Sequence, residues 1–221
     1  MPVTNAAIAT QDLTPVIGTR VDADRGTLLS GKFGKELRAL LQQRGVLIFP
    51  QVGFSDDEQV EFTATLGTLA YDYNGFAMDG GKPQAIFKVS LDEAVSPTAR
   101  SLKNSLLWHL DGTTHETPIL ASVLSARQLA PEGGETEWAS TYAAYAALPD
   151  AEKLAIDGLR VVHSNLQLQR NINPALSYEQ FQRARNSPAR SQPLVWKHRD
   201  GRNSLVVGAT AGYVEGLAHD D

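Results

Sequence analysis

The sequence predicts a mainly β domain with inserted helices, a distorted sandwich or jelly roll. Short apolar runs bounded by turn residues recur along the chain, and amphipathic helical stretches fall between them. No glycine-rich phosphate loop follows a strand, which removes the doubly wound nucleotide-binding folds.

The elements follow in chain order. Residues 35–44 put Leu37, Leu40 and Leu41 on one face of a short helix, and Gly45 stands where it ends. Residues 46–49 are apolar and stop at Pro50, as a buried strand does. Ser55 and Glu58 form a capping box that opens a helix to about Leu66, before Gly67. Residues 85–90 read as a strand, flanked by loops at 71–81 and 92–104. Loops of that length often serve as lids or binding loops. Residues 119–126 read as a strand and 131–134 as a turn. Two helices at 141–148 and 150–157 part at Pro149, and Gly158 closes the second. Residues 159–163 read as a strand. Ser177 and Gln180 make a second capping box, opening a polar helix to about Arg185. Residues 194–197 and 204–207 pair as a hairpin around Asp200 and Gly201.

A chain of 221 residues suits one substantial domain, and 42% hydrophobic with 20% charged residues is ordinary for a globular protein. The net charge of -5 and pI near 5.5 give no general attraction to nucleic acid or to an anionic membrane. No apolar run is long enough to span a bilayer, and the first residues lack a secretory pattern, so a cytoplasmic enzyme is the default expectation. The absence of cysteine removes disulfides, thiolate nucleophiles and sulfur-ligated metal sites. A metal site must then draw on His109, His115, His163, His198 or His219 with carboxylates, a donor set that suits Fe(II), Mn, Zn or Mg.

The informative segment is Trp108-His109-Leu110-Asp111-Gly112-Thr113. On a strand, residues two apart share a face. His109 and Asp111 would thus aim an imidazole and a carboxylate at one point, as two arms of a 2-His-1-carboxylate triad. Leu106, Leu107 and Leu110 would limit water access. A bare His-x-Asp pattern also fits a surface histidine beside a turn aspartate.

The longer stretch around that motif resembles the taurine dioxygenase/2,4-D dioxygenase family of Fe(II), 2-oxoglutarate-dependent enzymes. The Trp-His-x-Asp motif is followed by Gly133-Gly134-Glu135-Thr136-Glu137-Trp138 and by the Tyr/Ala-rich helix at 141–148. The resemblance extends through residues 159–164 and 192–205, and at the N-terminal end through 45–50 and 55–67. It implies a double-stranded β-helix of the cupin-like kind. It also implies His109 and Asp111 as metal ligands, Fe(II) as the metal and 2-oxoglutarate as cosubstrate. Thr136 matches the threonine that hydrogen-bonds a 2-oxoglutarate carboxylate. Tyr71, Tyr73 and Phe76 lie where substrate contacts arise in the family, and their rings could stack on an aryl group.

The implied reaction hydroxylates a small organic anion, such as an aryloxyalkanoate or a sulfonate, using O2 and releasing succinate and CO2. The resemblance admits a homo-oligomer. The family also uses a distal histidine and an arginine, several dozen residues beyond the turn that is here His198–Arg202. Neither stands in matching context before Asp221. The expectation is therefore one dioxygenase domain over residues 1–221, C-terminally incomplete and lacking its last strands, with the third ligand absent from the chain. Two other readings stay open: another metal-dependent hydrolase, or a non-catalytic jelly-roll binding domain.

Overall fold

A computed structural model of the chain describes residues 8–70, 78–79, 82–83, 86–90, 92, 94 and 106–218. The chain divides into two compact units, Met1–Phe87 with Val123–Ser140, and Lys88–Ser122 with Thr141–Asp221. Helices and small sheets alternate in both, so the expected helical insertions are extensive.

The first unit opens with β1 (Ala9–Asp12) antiparallel to β2 (Thr19–Asp22). In β2 Thr19 and Val21 point inward and Arg20 and Asp22 outward, the period of two of a half-buried strand. Asp24 caps α1 (Arg25–Leu29) by accepting from the Thr27 amide. Helix α2 (Gly34–Arg44) matches its predicted span, buries Leu37 and ends at Gly45. It leads into β3 (Leu47–Ile48), which pairs in parallel with β2. The predicted capping box is present at Ser55, with the Glu58 amide donating to the serine and the Glu58 carboxylate accepting from the Ser55 amide. It opens α3 (Asp56–Leu66). A short antiparallel ladder joins β4 (Met78–Asp79) to β5 (Lys82–Pro83).

The core of this unit gathers Val21, Leu28, Leu37, Phe54 and Phe62. Phe62 stands edge-on to Phe49 with centroids 5.3 Å apart, and lies tilted 5.4 Å from Phe54. Helices α2 and α3 meet at Gly34, where a Cβ would overlap the backbone carbonyl of Thr65. Only glycine allows that approach.

Segment 123–140 is tied to the start of α3. Arg127 donates to the Phe54 carbonyl, to Asp56 Oδ1 at 2.8 Å and to Gln59 Oε1 at 3.1 Å. Gln59 Nε2 donates to the Val123 carbonyl at 3.0 Å.

The second unit carries α4 (Thr141–Ala147) and α5 (Asp150–Ile156), separated at Pro149 as predicted. Strand β6 (Arg160–Ser164) runs into α6 (Asn165–Ile172), capped by Ser164, and the second capping box opens α7 (Tyr178–Arg185). Strand β7 (Ala189–Pro193) follows. The predicted hairpin forms as β8 (Val195–Lys197) with β9 (Asn203–Leu205). Strand β10 (Ala211–Val214) closes a three-stranded antiparallel sheet in the order β10, β6, β7.

Two predicted strands do not form. Residues 86–90 carry no regular element, and residue 85 lies outside the described residues. Residues 119–126 do not enter a sheet, and Leu120 and Leu124 are exposed. An apolar run becomes a strand only where a neighbour and a face await it. Here the Val123 carbonyl goes to a glutamine side chain instead.

Candidate active site

The Trp-His-x-Asp segment is not a strand. Residues 108–110 are irregular, and residues 111–114 turn, with the His115 amide donating to the Gly112 carbonyl at 2.9 Å. The turn still brings the two predicted ligands together, with His109 Nε2 3.6 Å from Asp111 Oδ1. The expected same-face geometry is met by a different backbone, and alternation along a strand is not its cause.

Both side chains are further fixed at their outer atoms. His109 Nδ1 lies 2.6 Å from the Leu107 carbonyl. A carbonyl only accepts, so Nδ1 carries the proton, and Nε2 of the neutral ring presents its lone pair. Ser122 Oγ donates to Asp111 Oδ2 at 2.7 Å, which leaves Oδ1 facing the imidazole. An imidazole nitrogen and a carboxylate oxygen, each oriented from behind by a hydrogen bond, form a donor pair suited to a divalent cation. The residues present thus fit two positions of a metal site. Among the described residues, no group of three or more histidine, aspartate or glutamate side chains comes together in a way that could hold a metal ion.

The apolar shield expected from the flanking leucines is only partial. Leu107 and Leu110 are half-buried, but Leu106 is 80% exposed and Trp108 60%. In an irregular segment the flanking side chains do not alternate between two faces, so Leu106 is not carried inward.

The other described histidines are engaged elsewhere. His163 is fully buried in β6 with Nδ1 2.8 Å from Thr210 Oγ1. His198 lies between the Tyr142 hydroxyl at 3.2 Å and Ser204 Oγ at 2.8 Å, and Trp196 stacks on it. His115 is half-buried, and its backbone carbonyl accepts from Gln192. Thr136 stands exposed in the irregular part of segment 123–140, in the first unit. Tyr71, Tyr73, Phe76 and His219 lie outside the described residues.

Burial pushes the pKa of both His163 and His198 below the usual imidazole value. The Val206 backbone partly offsets this for His163; for His198, Asp200 raises the pKa and Arg202 lowers it. The unfolded chain therefore takes up protons below about pH 6.5 that the folded chain refuses. Stability should be full above that value and fall as the pH drops from about 6.5 toward 5, before the carboxylates titrate. Urea unfolding at pH 7.5 and 5.5 checks this, and equal stabilities would contradict it.

Sequence reasoning missed the residues that hold the motif turn, namely Ser122, Gln192, Gly208 and Thr210. All are distant in sequence from the histidine or sit in a segment read as strand, and none has a local signature.

A family model described as taurine catabolism dioxygenase TauD, TfdA family matches residues 9–221. The chain belongs to this family. Its members include the α-ketoglutarate-dependent 2,4-dichlorophenoxyacetate dioxygenase of Cupriavidus pinatubonensis, 32% identical over 225 residues that cover 96% of this chain and 77% of that protein. The α-ketoglutarate-dependent sulfate ester dioxygenase of Pseudomonas putida is 31% identical over 235 residues, covering 98% of this chain and 74% of that protein.

Among solved structures, AAD-2 in complex with Mn(II) and N-oxalylglycine superposes with a TM-score of 0.75 at 24% identity, over 97% of this chain and 74% of that one. A taurine dioxygenase from Burkholderia xenovorans gives 0.69 at 22%, over 96% of this chain and 68% of that one. At such identities the likeness establishes the fold, which is that of the TauD-like dioxygenases. As a TauD/TfdA family member the chain is an α-ketoglutarate-dependent dioxygenase by kind. No helix among the described residues is long and apolar enough to cross a membrane.

Proposed function

We propose that this chain is an Fe(II)-dependent dioxygenase that consumes 2-oxoglutarate and O2 to hydroxylate a small organic anion. The reading treats residues 1–221 as a dioxygenase domain of the jelly-roll kind. The observation that carries it is the His109–Asp111 pair, 3.6 Å apart and oriented at both outer atoms. His109 would give Nε2 and Asp111 would give Oδ1 to the metal. Thr136 would donate its hydroxyl to a carboxylate of 2-oxoglutarate. Tyr71, Tyr73 and Phe76 are the proposed substrate contacts. With Fe(II) and 2-oxoglutarate bound, the site supplies oxidising power from O2, with succinate and CO2 as products and hydroxylation of a substrate C–H bond.

The protein's own part is positional. The Leu107 carbonyl holds the proton on Nδ1 of His109, so that Nε2 is the nitrogen turned toward the metal. Ser122 keeps the Asp111 carboxylate from rotating. Leu107 and Leu110, both half-buried, would keep water from part of the approach. Aryloxyalkanoates, sulfate esters and sulfonates are the substrate classes to try first, since related enzymes are named for 2,4-dichlorophenoxyacetate, phenoxypropionate and sulfate esters. N-oxalylglycine should compete with 2-oxoglutarate.

The test is succinate release and O2 uptake by the purified protein with Fe(II), 2-oxoglutarate and each anion in turn. Release that needs both Fe(II) and one anion supports the reading. Release that ignores Fe(II), or none with any of the three classes, would count against it.

A further inference from the structure

Behind the candidate ligands lies a second set of polar side chains that the proposed chemistry does not use. Thr113 is buried, and its Oγ1 shares a 2.8 Å hydrogen bond with Thr210 Oγ1. The same Thr210 oxygen shares a 2.8 Å hydrogen bond with Nδ1 of the fully buried His163. From β7, the buried Gln192 spends its Nε2 protons on the carbonyls of Thr113 at 3.2 Å and His115 at 2.9 Å. The Ala209 amide donates to the Trp108 carbonyl at 2.9 Å. Gly208 lies so near the motif that a Cβ there would stand 3.0 Å from the His109 Cα. Residues 208–210 therefore touch the chain on both sides of the ligand pair, before His109 and after Asp111.

We propose that Thr210, His163 and Gln192 are positioning residues that clamp the 111–115 turn and so hold His109 and Asp111 ready to meet at one cation. The inference rests on the metal-site reading above. A hydroxyl has one proton and two lone pairs, so the single Thr210 oxygen serves both neighbours and donates to at most one of them. Loss of that hydroxyl unmakes both links at once. Stability alone does not account for the arrangement. Among the described residues the buried His163 Nε2 makes no full hydrogen bond, with only the Val206 backbone favouring its charged form, and an apolar filling of the same space would leave no such group. An irregular, half-exposed segment such as 106–115 needs an external frame to keep two ligands in register. Outer residues of this kind typically change metal affinity by about 10–100-fold.

The experiment uses the full chain with Co(II) as probe, titrated by visible absorption, together with amide hydrogen exchange across residues 107–115 in metal-free protein. The variants are Thr210→Val, Thr210→Ser and Gln192→Ala, with His109→Ala and Asp111→Ala as controls. Thr210→Val and Gln192→Ala should weaken Co(II) binding by about 10–100-fold and speed exchange in 107–115. Thr210→Ser, which keeps the hydroxyl, should restore both. If Thr210→Val does not fold, the serine and Gln192 variants decide alone. Wild-type affinity and exchange in folded Thr210→Val and Gln192→Ala, while the two controls lose Co(II), would overturn the positioning role and leave the metal site standing. If the wild type binds no Co(II), or the controls bind it as well as the wild type, the metal-site reading falls and this inference falls with it.

Discussion

His109→Ala and Asp111→Ala should each reduce Fe(II)-dependent succinate formation to the level seen without enzyme, and leave the unfolding midpoint almost unchanged. Under the proposed reading each removes one of two adjacent donors, and the survivor would not hold the cation in place. Little stability is at stake, because both side chains are partly open to solvent and stand 3.6 Å apart. Substitutions at such positions usually fall within about 0.5 kcal/mol. The two readouts must be taken together. Lost turnover with an unchanged midpoint identifies ligands, whereas a midpoint that falls in parallel would mean the turn itself has collapsed. Asp111→Asn separates charge from shape. It keeps the bond from Ser122 Oγ but removes the anionic oxygen, and it should lose turnover nearly as fully as alanine. Unchanged turnover in any of the three would rule out His109 and Asp111 as the metal site.

Much of this was legible in the sequence where the signal is local. The two capping boxes at Ser55 and Ser177 each place a helix start to the residue, because cap and third helical residue satisfy one another within four positions. The leucines of α2 and the hairpin at 195–205 are likewise short-range patterns. Strands β1 and β7 were missed because their residues are polar and mostly exposed. Their pairing is set by β2 and β6, not by their own side chains. The site shows the same division. His109 and Asp111 are singled out by spacing and family resemblance, and the structure places their side chains 3.6 Å apart. The strand expected to carry them was not formed, and the turn that replaces it is held by Gln192 and Thr210, some eighty to one hundred residues further on. Periodicity within a short window cannot register contacts at that separation.

Phe62→Ala should be the most destabilising single change in the first unit. The ring is 2% exposed, and it fills the space between Phe49 and Phe54 beneath α2. Removing it costs the transfer of a large apolar surface and leaves a cavity that neighbours on two helices cannot close. Gly34 already holds α2 against the Thr65 backbone and gives no room to settle inward. Buried phenylalanine-to-alanine changes cost about 3–5 kcal/mol. Under the proposed role of Thr136 the consequence should reach the chemistry, because α3 carries Asp56 and Gln59, the anchors of Arg127 and Val123, and the segment they hold contains Thr136. A loosened α3 should then raise the 2-oxoglutarate concentration needed for half-maximal turnover while leaving Co(II) affinity at His109 and Asp111 close to that of the wild type. Urea unfolding and 2-oxoglutarate titration of the variant read the two effects separately. A loss below about 1 kcal/mol would show that the cavity closes after all. An unchanged 2-oxoglutarate requirement in a destabilised variant would detach Thr136 from cosubstrate binding.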